Sequence, residues 1–189
     1  MTEKQRLREV LLERRSTLDE RALEAAAAAL AVRASAVVHE RAVRRVAAYL
    51  SIAGEPPTWP LLDRLLADGV VVVVPRALPG RRMTWLRYTG RDALAVGRFG
   101  IPEPTGDDDP DALDRVEVVL VPALAVDTSG YRLGRGGGFY DAALQARPEV
   151  ARVALVHDHE IVDDVGPEPH DQRVDVAVTP ERTLILPAR

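Results

Sequence analysis

The densest chemistry in this chain lies in DTSGYRLGRGGGFYD, Asp127 to Asp141. Five of its thirteen glycines fall between Gly130 and Gly138, with Arg132 and Arg135 among them, and Phe139, Tyr140 and Asp141 follow at once. Glycine loses more backbone freedom on ordering than any other residue, so a cluster signals a sharp turn or a close approach to something. Successive glycine amides can form a nest that holds an anion, and arginines add charge-assisted hydrogen bonds to phosphate or carboxylate oxygens. Two common phosphate loops do not fit. Gly134 and Gly136 begin a G-x-G-x-x-G pattern, but Phe139 stands at its third glycine, and no Lys-Ser or Lys-Thr follows. From the glycines alone, a phosphate cradle and a flexible surface turn both stay open.

Asp141 bears on that choice. It is expected in the first turn of a following helix, where the helix dipole favours a carboxylate without any ligand. Beside phosphates it would repel them unless a divalent cation lay between, and Mg²⁺ is held in this way, by one or two carboxylates plus substrate phosphates. Asp171, in the Pro-rich GPEPHDQRVD ahead of a strand, is the candidate second carboxylate; alone it reads as a turn aspartate. His157 and His159 are expected to be two exposed loop histidines rather than a metal pair. Asp107-Asp108-Asp109 is expected to be a solvated turn.

These residues need elements to hold them. Helices are expected over residues 3–15, where Leu7, Val10, Leu11 and Arg14 recur at helical spacing, and over 18–46, where an alanine run favours helix. Overlapping capping boxes, Ser16 with Asp19 and Thr17 with Glu20, would start the second helix. Arg45 to Ile52 reads as the first strand, and Thr58 as the N-cap of a helix opened by Trp59 and Pro60 and running through Ala67. Val70 to Pro75 and Val116 to Val121 have the continuous apolar character of buried parallel strands. Met83 to Tyr88 alternates, and Ala151 to Val156, Val174 to Val178 and Thr183 to Leu186 complete the strands. Leu94 to Asp114 reads as loop, and a helix is expected from about Tyr140 to Arg147. The glycines thus follow a buried strand and precede a helix, where ligands collect in open α/β sheets. The alternation predicts one α/β domain over 1–189, with helices on both faces of a mostly parallel sheet.

Composition sets limits. A chain of 189 residues, 47% hydrophobic, can bury a substantial core. With no cysteine there is no disulfide, thiolate metal site or cysteine nucleophile. No apolar run, Val70 to Val74 included, approaches a membrane span, and the charged MTEKQRLREV lacks a signal-peptide core, so a cytoplasmic location is expected. A net charge of −4 argues against nucleic-acid binding through the basic first helix. Among 25 basic residues Lys4 is the only lysine.

VPALAVDTSGYRLGRGGGFYD closely resembles the signature of the 5-formyltetrahydrofolate cyclo-ligase family, also called 5,10-methenyltetrahydrofolate synthetase. KQRLRE, with Lys4 and Arg8, is similar to the family's opening helix motif, LSIAGEPPTWPLLDRL to its first strand and turn, FGIPEP (Phe99 to Pro104) to a following loop, and PEPHDQRVDVAVTPE to its C-terminal motif. The resemblance implies a three-layer α/β/α fold related to ribose-5-phosphate isomerase and CoA-transferase folds. It also implies conversion of 5-formyltetrahydrofolate and ATP to 5,10-methenyltetrahydrofolate, ADP and phosphate with Mg²⁺. Carried over by residue, Lys4, Gln5, Arg6, Leu7 and Arg8 would meet ATP from the first helix. Arg132, Leu133, Gly134, Arg135, Gly136, Gly137, Gly138, Phe139 and Tyr140 would line the triphosphate, with Arg135 and Lys4 catalytic. Leu50 and Glu55 would face the folate together with Arg135 to Phe139, and Asp141 and Asp171 would hold the metal. Met83 and Trp85 are candidates for an apolar wall or for strand core. Phe139 stands where members often have tyrosine, and Val156 to His159 replaces a segment that commonly carries an aromatic and a glutamine. The resemblance implies a monomer acting on small molecules, without nucleic acid or membrane. A nucleotide- or folate-binding module without turnover is the alternative.

Overall fold

The computed structural model describes residues 1–80, 82–97, 100–107, 109 and 112–189. Four α-helices and twelve strands follow in the order α1 (Glu3–Ser16), α2 (Glu20–Glu40), β1 (Arg45–Ala47), α3 (Trp59–Ala67), β2 (Val71–Leu78), β3 (Arg82–Arg87), β4 (Leu94–Val96), β5 (Pro102–Pro104), β6 (Val118–Pro122), β7 (Ala125–Asp127), β8 (Arg132–Leu133), α4 (Phe139–Gln145), β9 (Ala151–Leu155), β10 (Ile161–Val162), β11 (Val176–Val178) and β12 (Thr183–Ile185). Seven strands form one sheet in the order β12-β11-β9-β6-β1-β2-β3, parallel except at its edges, where β12 and β3 are antiparallel.

Side chains alternate cleanly across this sheet. Val46, Val72, Val74, Val118, Leu120, Val153, Leu155, Val176 and Val178 face one core with α2 and α3. Ala47, Val73, Val119, Val121, Ala154 and Ala177 face the other, with Leu144 and Tyr140 of α4. Both faces are therefore covered, which is why the strands read as continuous apolar runs. Helix α2 is, by length and composition, apolar enough to cross a membrane. Its apolar stripe, including Leu30, Ala34 and Val38, lies in the core here. Helix α1 packs elsewhere: Leu7 and Leu11 meet Leu124, Leu133 and Val165 over a small second sheet, β10-β7-β8.

Several boundaries differ from expectation. Asp19 caps α2 by accepting from the Ala22 N–H, while Thr17 closes α1, so neither proposed capping box operates. Helix α2 stops at Glu40, where Ala42 takes φ 53, a left-handed turn signalled by no glycine. Strand β1 ends at Ala47 because the chain then bends back: the Thr58 hydroxyl donates to the Tyr49 carbonyl and accepts from the Ser51 N–H. Thr58 stands at the N-cap position of α3, as expected, but for the same reason its side chain makes no capping hydrogen bond. Part of the expected Leu94–Asp114 loop forms the β4–β5 ladder, whose two prolines sit in an edge strand that tolerates the missing donor. Phe99 and Asp108 lie outside the described residues, and with them part of the FGIPEP motif and of the acidic turn.

Candidate active site

In sequence order β1 is followed by β2 on one side of it, and the chain then crosses to β6 on the other. This is a topological switch point, where adjoining loops diverge and leave a crevice beyond the carboxyl ends of the strands. A cavity of about 450 Å³ opens there, lined by Tyr49, Leu50 and Glu55 after β1 and by Pro122, Ala123 and Leu124 at the end of β6.

The glycine stretch reaches this cavity after a detour. Between β6 and the glycines the chain makes the β7–β8 hairpin, an insertion hidden in the sequence signature. Asp127 builds its turn: Oδ1 accepts from the Ser129 and Tyr131 N–H groups, both at 2.9 Å. Gly130 serves that turn, at φ 91, with Val174 O so close that a Cβ would sit 2.9 Å from it. Gly130 is thus a hairpin residue, whereas Gly134, Gly136, Gly137 and Gly138 line the cavity. Gly136 and Gly138 also have positive φ, so the chain turns into α4 along a path that side chains resist.

The lining has two characters. One half is charged, with Lys4, Arg8, Arg132, Asp141, Glu168, His170 and Asp171; the other is largely apolar, with Pro75, Ala77, Met83, Ile101 and Pro102 alongside Glu103. Met83 joins this wall, while Trp85 goes into the core and meets the Tyr140 ring edge-on at 6.1 Å. Of the first-helix candidates, Lys4 and Arg8 line the cavity. Gln5 accepts from the Thr2 N–H in a capping box, Arg6 is exposed and Leu7 packs inward. Leu133 is fully buried in the small-sheet core.

Three cations in the cavity, Lys4, Arg132 and Arg135, meet four carboxylates. Lys4 is bonded to Asp171 and lies 3.3 Å from Glu168. Arg132 Nη2 donates to Asp141 Oδ1 at 2.6 Å, and Arg135 Nε to Glu55 Oε1 at 3.1 Å. Arg8 Nε donates to the Gly134 carbonyl at 2.9 Å, fastening α1 to the glycine turn. Burial opposes ionisation of Asp171, but the hydrogen bond from Lys4, the N–H of Glu168 and the Lys4 charge together hold its carboxyl below the ordinary 3.8. Burial lowers the Arg132 guanidinium, against the pull of Asp141, Tyr140 and Asp171. It pushes the Tyr140 phenol well up, an effect that Glu55 reinforces and Arg132 opposes.

Two polar groups here have no protein partner: Arg132 Nε and the Tyr140 hydroxyl are buried without a hydrogen bond. Such groups are costly to leave unsatisfied, and both belong to residues that border the cavity. An acceptor-rich ligand would complete them. For a cation, the cavity offers the oxygens of Asp141 and Asp171, and Glu168, His170 and Asp171 each place a ligand atom within 4.8 Å of the others. Oxygen donors of this kind suit a hard divalent ion.

Sequence reasoning missed Arg15 and Glu160. Arg15 lies on the α1 face that carries Lys4, Arg8 and Leu11, and that spacing was the available signal. Its Nε and Nη2 reach Glu160 Oε1 and Oε2 at 2.6 and 2.9 Å, and Nη2 also reaches the Ala123 carbonyl at 2.6 Å, all in the interior. Glu160 accepts in addition from the His157 N–H at 2.8 Å. His157 is therefore not an exposed loop histidine: it is 5% exposed, bonded through Nε2 to the Gly54 carbonyl at 3.4 Å and stacked on His159. Burial lowers its pKa, with Glu160 opposing.

An α/β fold with a charged, two-ended cavity at its switch point suits the binding of a small anionic molecule. Comparison with known proteins narrows this further. The sequence model of the 5-formyltetrahydrofolate cyclo-ligase family matches residues 1–180, and the chain belongs to that family. It is 38% identical to the 5-formyltetrahydrofolate cyclo-ligase of Mycolicibacterium smegmatis over 96% of each chain. It is 35% identical to that of Escherichia coli over 72% of this chain and 78% of the relative. The solved structure of Aquifex aeolicus 5,10-methenyltetrahydrofolate synthetase superposes with a TM-score of 0.83 at 28% identity, covering all of this chain and 95% of the other.

Proposed function

We propose that this chain cyclises 5-formyltetrahydrofolate to 5,10-methenyltetrahydrofolate at the expense of ATP, releasing ADP and phosphate. The observation that carries this reading is the two-ended cavity at the switch point, with Lys4, Arg8, Arg132 and Arg135 around its charged half, in a chain of this family. A formamide oxygen is a poor leaving group, so the γ-phosphoryl group is first transferred to it and ADP departs. The resulting iminium-like phosphate ester has an electrophilic carbon. Nitrogen 10 attacks that carbon, the five-membered ring closes, nitrogen 10 gives up its proton and phosphate leaves with the former formyl oxygen.

No enzyme nucleophile is needed, so the chain's work is placement and charge neutralisation. Lys4, a compact ammonium, and Arg132, with its unpartnered Nε, suit phosphate oxygens. Arg135, on the glycine turn, suits the charge that develops during transfer. Leu50 and the apolar wall around Met83 suit a flat ring, and Glu55 its N–H edge. Asp141 and Asp171 would hold Mg²⁺, which when bound neutralises charge on the phosphates. The reading includes a cytoplasmic monomer that acts on small molecules, without nucleic acid or membrane.

The test is incubation with 5-formyltetrahydrofolate, ATP and Mg²⁺ while watching the conjugated methenyl chromophore. It should appear only with all three present. A chromophore that forms equally well without ATP, or none in the full mixture, overturns the reading.

A further inference from the structure

The ion pairs made by Lys4, Arg132 and Arg135 in the cavity are not equivalent. Arg132 is buried with a side chain only 4% exposed, and Lys4 and Asp171 are 11% and 10% exposed. The third pair is lopsided: Glu55 is 9% exposed, whereas Arg135 is 43% exposed and sits on the glycine turn. Glu55 is also fixed from behind, because its second oxygen accepts from the Ile52 N–H at 3.1 Å. Arg135 holds it through Nε alone. When this pair opens, the arginine is the member that moves and Glu55 stays.

Its position matters as much as its asymmetry. Glu55 lies in the turn after β1, and Arg135 in the turn between β8 and α4, so the pair joins the half of the cavity assigned to the folate to the half assigned to the triphosphate. On that functional reading, Arg135 cannot bring its full guanidinium to phosphate while Nε stays on Glu55. If it leaves, an almost buried carboxylate loses its only ion-pair partner among the described residues, which is strongly unfavourable unless another donor replaces it. A ligand presenting ring N–H groups supplies that donor.

We infer that the Glu55–Arg135 ion pair is a coupling element: folate binding at Glu55 releases Arg135 to the nucleotide, so the two substrates bind cooperatively and nucleotide alone is held weakly. The coupling is reciprocal, since each ligand's affinity must rise by the same factor when the other is present.

The measurement is equilibrium binding of the Mg²⁺ complex of β,γ-imido-ATP, which transfers no phosphoryl group, with and without saturating 5-formyltetrahydrofolate. In the unaltered protein folate should tighten nucleotide binding about tenfold, within the usual range for such couplings. Glu55→Gln keeps an acceptor for the Ile52 N–H but releases Arg135. It should bind nucleotide alone about tenfold more tightly than the unaltered protein, with little further gain from folate. Arg135→Ala should show the converse, tighter binding of folate alone and no coupling, because nothing then competes for Glu55. Loss of a contact used only for structure would not raise either affinity. The inference is overturned if folate leaves nucleotide affinity unchanged in the unaltered protein, or if neither variant gains affinity for its ligand. Either result with methenyl formation intact removes the coupling and leaves the proposed activity standing.

Discussion

Asp141 is bound to a cation that cannot easily do without it. Arg132 is buried, and its Nε already lacks a partner, so removing the carboxylate leaves a guanidinium in the interior with its main compensation gone. Asp141→Ala should therefore abolish turnover and also destabilise the fold, toward the low end of the about 3–5 kcal/mol seen when a buried pair is broken, since Asp141 keeps some exposure. Urea unfolding checks this, and Asp141→Asn, which retains an acceptor for Arg132, should recover part of the stability but not the activity. Arg135→Ala should lose turnover and also lower the urea midpoint, because the nearly buried Glu55 carboxylate loses its ion-pair partner. Arg135 and Asp141 were legible as candidates because charge at a glycine turn has a chemical use, Asp171 because a metal there would want a second carboxylate, and Lys4 and Arg8 only through the family resemblance. What could not be read from sequence is that these charges neutralise one another, since that depends on which side chains converge across the fold. His157 misled for a related reason: nothing local shows that Gly54, a hundred residues away, closes over its ring.

At the scale of elements, α1 is the least conventionally anchored helix. It contributes Leu7 and Leu11 to the small-sheet core and is otherwise tied by Lys4, Arg8 and Arg15. Arg15→Ala strands Glu160, which has no exposed surface, and should cost about 3–5 kcal/mol in urea unfolding. Because α1 carries Lys4 and Arg8, the same change should raise the KM for ATP more than that for folate. The signature motif contains two elements, and its glycines divide accordingly. Gly130→Ala forces a side chain into the left-handed region, at about 1–2 kcal/mol, and against the Val174 carbonyl. It should lower the melting temperature while leaving the KM for ATP unchanged, because this turn is not part of the cavity lining. A KM that rose with Gly130→Ala would return that glycine to the cradle. The hairpin was illegible because its strands are so short: β7 spans three residues and β8 two, below the length at which alternation can be read.

For the molecule as a whole, the sheet was the most legible part. Its valine runs showed burial on both faces, and the order of elements gave a parallel α/β arrangement. Strand order was not legible, since the crossing from β2 to β6 past β1 is a property of packing, yet that crossing is what opens the crevice. Its consequence is that the cavity is assembled from distant parts of the chain: α1, the turn after β1, the β2–β3 wall, the glycine turn and the segment around Asp171. A ligand there should stabilise the entire fold. Mg²⁺ and β,γ-imido-ATP at a hundred times the Kd should add about 2.7 kcal/mol, raising the melting temperature by about 5–10 °C. A thermal scan with no shift at any nucleotide concentration would mean that the folded chain does not bind it.

Lys4 is the single lysine of this sequence, and its side chain is 11% exposed where Asp171 and Glu168 meet it. An amine-directed reagent consequently has one side chain here to modify. Acylation of Lys4, mapped by mass spectrometry, becomes an occupancy gauge that reports whether its niche is closed. The same fact warns against amine coupling to sensor chips, which would tether the protein through the niche itself.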